Sequence, residues 1–228
     1  MFFDYKFWHF LTRPHDLGVN LQSSSMRKLN SRIGIVFLLG AVLFVIRNIW
    51  GMNTEGITSV LATMTDTNYT IARYASLAGS VIWSVLYMAF HIFGIALVIS
   101  QITKIPYQHV VPLQIGITGI LLMEKALLFL VFYLKGATVP LSFLSFGPLA
   151  VTIMENWYII LFLNQLTVTT ALIITLQYRF IRAFKKEGKW REQLWMLIGL
   201  HVAMALITAS IAFIPFDRLL NSLFGGGF

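Results

Sequence analysis

Apolar residues fall in five long runs separated by shorter polar stretches, each close to the roughly 20 residues that cross a bilayer as helix. The runs extend from about Ile33 to Trp50, Leu77 to Ser100, Val110 to Leu134, Leu149 to Leu176 and Leu194 to Ile214. They predict an all-α fold: a polytopic membrane helix bundle with five transmembrane helices over residues 33–214. Ahead of them, residues 1–32 read as a cytoplasmic segment dense in aromatics. Within Phe2 to Leu11, the residues Phe3, Phe7, Phe10 and Leu11 share one face at helical spacing, while Asp4, Lys6 and His9 lie largely elsewhere. That spacing predicts a short interfacial amphipathic helix on the cytoplasmic leaflet, stopped near Pro14.

The connectors carry their own signals. In the polar stretch Gly51 to Ser76, the positions Ile57, Val60, Leu61 and Met64 predict a short amphipathic helix. The connector Lys135 to Pro148 is apolar, with Pro140 and Pro148, and either lies in the headgroups or dips into the protein. Residues 215–228 form a short outer tail.

Composition supports the membrane reading, with 57% hydrophobic and 11% charged residues and a mean hydropathy of +0.77. The net charge of +8 is concentrated beside the apolar runs instead of spreading over a surface, which argues against a nucleic-acid partner and for contact with the lipid bilayer. The connector Arg179 to Arg191 holds six of the 17 Lys and Arg residues: Arg179, Arg182, Lys185, Lys186, Lys189 and Arg191. With Lys6, Arg13, Arg27, Lys28, Arg32 and Lys104 they place twelve cations on one side, against Arg47, Arg73, Lys135 and Arg218 on the other. This bias puts the N-terminus inside and the C-terminus outside. The first run then acts as an uncleaved anchor, since residues 1–30 lack a continuous apolar core. Absence of cysteine excludes disulfides, thiolate metal sites and thiol catalysis.

Ionisable groups at bilayer depth are costly and are candidates for function. Glu124 and Lys125 are adjacent in the third run, so they project about 100° apart and need partners from another helix. They read either as an ion relay or as an interhelical clasp. In the fourth run Glu155, Tyr158, Phe162, Gln165 and Thr169 fall within an arc of roughly 80°, with Asn164 opposite. This stripe suits a partner contact, a substrate path or a packing seam. His91 and His201 complete the set, and with Glu124 they lack any metal-ligand spacing. His201, Ala205 and Ala209 share a small-residue face for close helix packing, as do Ala75 with Gly79 and Ser76, Ser80 and Ser84. No nucleophile stands beside a general base and no phosphate-binding loop occurs, so the sequence points away from enzymes and cofactors.

Phe10-Leu11-Thr12-Arg13-Pro14, the five runs, and the inner turn Lys104-Ile105-Pro106-Tyr107-Gln108-His109-Val110-Val111-Pro112 together resemble the Yip family of small polytopic membrane proteins. Further points are the opening Asn156-Trp157-Tyr158-Ile159-Ile160-Leu161 and the basic exit Tyr178-Arg179-Phe180-Ile181-Arg182. The long N-terminal region and Asp-Leu-Tyr-Gly-Pro motif of eukaryotic members are missing, so the likeness is to the short bacterial type. The resemblance implies a non-enzymatic accessory or assembly protein of the bacterial cytoplasmic membrane. Its implied partner is a membrane protein such as an ABC exporter that protects against antimicrobial peptides. Alternatives are an ion or small-solute transporter using Glu124, Lys125, Glu155 and the histidines, and a membrane-shaping scaffold; a homo-oligomer is compatible with each.

Overall fold

The structure is a computed structural model that describes residues 2–3, 7–52, 66–185 and 189–213. The expected outer helix at Ile57 to Met64, Lys186 and the tail at 215–228 lie outside the described residues. The described chain is all-helical apart from a two-residue parallel backbone pairing of Phe2–Phe3 with Ser25–Met26. It divides into two units, Met1–Thr138 with Arg179–Gly188, and Val139–Tyr178 with Lys189–Phe228.

In the first unit, α1 (Phe7–Thr12) and α2 (Pro14–Ser23) precede the long helix α3 (Leu29–Trp50). Pro14 opens α2, where its fixed φ suits a first turn and its missing N–H is not needed. Gly51, at φ 110°, closes α3 in the left-handed region that a residue with a Cβ avoids. Helix α4 (Asp66–Ala89), a π-helical turn (Phe90–Gly94) and α5 (Ile95–Thr103) follow in unbroken succession. After a turn through Lys104 to Pro106, α6 (Tyr107–Lys135) carries Pro112 within it.

Helices α3, α4 and α6 meet around buried Phe44, Met88 and Leu122, with Val36, Phe37, Leu43 and Tyr87 packed against them. Gly40 makes room for Met88, whose thioether occupies the place of a Cβ. Asn48 Nδ2 donates to Ser76 Oγ at 3.0 Å, and Arg73 Nη2 donates to the carbonyls of Asn48 and Ile49. These two carbonyls belong to the last turn of α3, where the helix leaves acceptors unsatisfied and favours a cation.

In the second unit, α7 (Gly147–Ile153), α8 (Trp157–Gln165), α9 (Val168–Lys185, which continues into the first unit from Arg179) and α10 (Trp190–Phe213) succeed one another. The fourth run, expected as one helix from Leu149 to Leu176, is therefore three pieces. Its breaks are built from local caps. Asn156 Oδ1 accepts from the N–H of Ile159 at 3.2 Å, and Thr167 Oγ1 accepts from the N–H of Thr170 at 3.1 Å. Among the described residues four stretches are long and apolar enough to span a membrane, Leu29–Trp50, Tyr69–Thr103, Tyr107–Lys135 and Trp190–Ile211, and they mark an integral membrane protein.

Candidate functional site

The first unit gathers charge around two aromatic rings. Lys125 Nζ lies 4.8 Å from the centre of the Tyr87 ring and 5.9 Å from that of Phe44, and the Arg47 guanidinium lies 5.7 Å from the Phe44 ring. All three separations are within the roughly 6 Å over which a cation is held by a ring face. Glu124 stands within electrostatic reach of Tyr87 and Lys125. His91, on the π-helical turn, packs its ring 4.3 Å from that of Tyr87. The π turn inserts one residue's worth of rotation into the rod, which re-aims side chains at this level. Of the sequence candidates, Glu124, Lys125 and His91 thus come together. Arg47 and Tyr87, which join them, carry no local signal: Arg47 counts as an outer-end cation, and only the packing of α3 on α4 brings it here.

The second unit holds a helical hairpin. Helices α7 and α8 are joined by Met154, Glu155 and Asn156, and the hairpin base is closed by the antiparallel bridge of Ser145 with Thr167. The N–H of Val168 donates to Leu144 O at 3.0 Å, and that of Phe146 to Leu166 O at 3.4 Å. Asn164 ties the entry loop to this base. Its Oδ1 accepts from the Ser142 N–H and from Ser145 Oγ, each at 2.8 Å, and its Nδ2 donates to Pro140 O at 3.4 Å. Gly147 lets the loop approach, since a Cβ there would meet Asn164 Oδ1 at 2.8 Å. Buried Leu141, Ala150 and Ile160, backed by Leu163, form the hairpin's core.

This geometry rearranges the expected stripe. Tyr158, Phe162 and Gln165 share α8, whereas Glu155 sits in the turn before it and Thr169 on α9. The caps at Asn156 and Thr167 break the helix on which the five residues share an arc. Tyr158 Oη lies 3.3 Å from Ser210 Oγ, which fastens α8 to α10. Glu155 is exposed at the hairpin tip, among exposed apolar Leu149, Val151, Ile153, Met154 and Trp157 and exposed polar Thr152 and Asn156.

His201 Nε2 and Gln177 Oε1 are 3.0 Å apart, an interhelical hydrogen bond between α10 and α9. Ala205 and Ala209, on the same face of α10, are buried as close packing requires. Among the described residues no three His, Asp or Glu side chains gather as a metal-ligand set.

Comparison with protein-family models, with curated proteins and with solved structures gives no match.

The basic connector is half packed and half open. Arg179, Arg182 and Arg191 are exposed, while Phe180, Ile181 and Ala183 beside them are buried. Gly18 of α2 sits against Ala183 and the Phe180 carbonyl, where a Cβ would stand 2.9 Å from each. Gln22 Nε2 donates to the carbonyls of Ala183 and Phe184, satisfying acceptors near the end of α9. Lys189 bonds Glu192 at 2.9 Å, and this carboxylate raises the lysine's pKa.

The face of α1 assigned to the leaflet instead meets protein. Phe10 is 2% exposed and Phe7 and Phe10 rest on Gly119 and Gly116 of α6. These two glycines are not among the sequence candidates, although their i, i+3 spacing is a signal for close approach on a helix.

Proposed function

We propose that this protein is a non-enzymatic accessory subunit of the bacterial type resembling the Yip family, and that it works by binding a membrane protein partner. The observation that carries the reading is Glu155: one carboxylate exposed at the tip of a hairpin, where exposed Ile153, Met154 and Trp157 set large apolar side chains around it beside the polar Thr152 and Asn156. A carboxylate in such a surround is stabilised when a partner brings a cation to it. An ABC exporter subunit, of the kind that protects against antimicrobial peptides, is the partner the resemblance favours. In this reading the protein sits in the bacterial cytoplasmic membrane with its N-terminus on the inner, cytoplasmic side and its C-terminus on the outer side. Helix α9, 18 residues and about 27 Å long, supplies the additional crossing, with Arg179, Arg182 and Lys185 extending to the inner headgroups. Cross-linking from Ile153 in native membranes, with Glu155→Lys as the control, tests it.

A second reading, an ion or small-solute transporter, draws on the cluster of Arg47, Lys125 and Glu124. It requires flux through the reconstituted protein that Glu124→Gln abolishes at unchanged expression. The accessory reading requires no such flux.

A further inference from the structure

A cavity of about 420 Å³ lies within the first unit between α1, α3 and α6. Its size falls in the range of small-molecule sites, about 300–1,000 Å³. Trp8, Ile35, Leu39, Ile115 and Met123 are among its apolar walls, and among the described residues Arg32 is the one charged side chain that lines it. The floor is a helix face made low by Gly116 and Gly119, on which Phe10 and Phe7 of α1 rest. On α3 the lining positions Arg32, Ile35, Val36 and Leu39 follow the i, i+3, i+4, i+7 spacing of one face. The cavity therefore runs along the helix, with its cation at one end and about 10 Å of apolar wall beyond it.

We infer that this cavity binds one acyl chain of an anionic glycerophospholipid, with its phosphate held at Arg32. A cation at one end and a long apolar wall match an amphiphile with one anionic end; a polar metabolite would leave its other donors and acceptors unmet. Exposed Arg27 and Lys28 precede Arg32 and add to the attraction for an anionic headgroup. Arg32 already has an interaction within the chain, and its five N–H donors serve a phosphate as well. Ile35, Leu39 and Met123 are each about half exposed, so the wall is open at its side and a chain enters from the bilayer without crossing water.

The test uses the full chain in phosphatidylcholine nanodiscs doped with phosphatidylglycerol that carries a diazirine on one acyl chain. Photolysis is expected to label peptides containing residues 35–39 and 115–123. Leu39→Trp and Met123→Trp fill the cavity from opposite walls, and each is expected to remove that labelling. Arg32→Gln is expected to lower it about tenfold and to abolish any preference over a phosphatidylcholine probe, as fits loss of one charge-assisted contact. Labelling that survives both tryptophans, or that is equal for the two headgroups in the unaltered protein, would overturn the assignment in favour of ordinary annular lipid. If Leu39→Trp fails to fold, Met123→Trp alone gives the same decision.

Discussion

The Phe10 ring lies on Gly116 with no space for a side chain between them: a Cβ at Gly116 would stand 2.6 Å from Phe10 Cε1. Gly116→Ala should therefore displace α1 and cost about 1–3 kcal/mol, the usual penalty of overpacking. Pairing it with Phe10→Leu should return part of that loss, because the two residues share one contact. Thermal unfolding of the four-member cycle in detergent checks this. Additive losses would show that Phe10 and Gly116 do not press on one another.

Lys125 is held by ring faces, so its contribution should follow the ring and not the hydroxyl. Tyr87→Phe should leave stability nearly unchanged, while Tyr87→Leu should lower it by about 0.5–2 kcal/mol. Equilibrium unfolding of the two variants measures the difference. Equal losses would assign the holding to the hydroxyl group.

The hydrogen bond between His201 and Gln177 predicts an asymmetry. His201→Ala leaves the fully buried Gln177 amide without this partner and should cost about 1–3 kcal/mol. The double variant with Gln177→Leu should recover much of that, since no buried amide then remains at the pair. A loss for the double variant larger than for His201→Ala would contradict it.

Asn164 fastens the hairpin base through two acceptor contacts and one donor contact. Asn164→Leu should open the loop at 140–146 to limited proteolysis, whereas Asn164→Asp, which keeps the acceptor, should protect it better. Equal cleavage rates for the unaltered protein and both variants would remove Asn164 from this role.

The long helices were legible because apolar length alone specifies them: Leu29–Trp50, Tyr107–Lys135 and the rest need no knowledge of neighbours. The breaks at Asn156 and Thr167 were not, although their caps are written locally. Leu149 to Leu176 is apolar enough on average to read as one run despite Glu155-Asn156 and Asn164-Gln165, and hydropathy does not register a side chain that caps a backbone N–H. Glu124 and Lys125 were found because charge in an apolar run stands out. Their neighbours Arg47 and Tyr87 were missed because only the rotation of α3 and α4 about their axes decides which side chains meet Lys125. The leaflet-facing assignment of Phe10 went astray for a related reason. An amphipathic face shows that something apolar covers it, and here Gly116 provides a protein surface where the sequence allowed a lipid one.

The most direct measurement concerns Glu155. A photo-cross-linker placed at Ile153 in the full-length protein, in native membranes, should capture a second membrane protein of a different mass from this chain. Glu155→Asp should keep the adduct, and Glu155→Lys should lose it, since the partner's cation would then face another cation. An adduct of the same yield with Glu155→Lys, a homodimer alone, or lipid adducts alone would contradict the proposal that this hairpin binds a membrane partner.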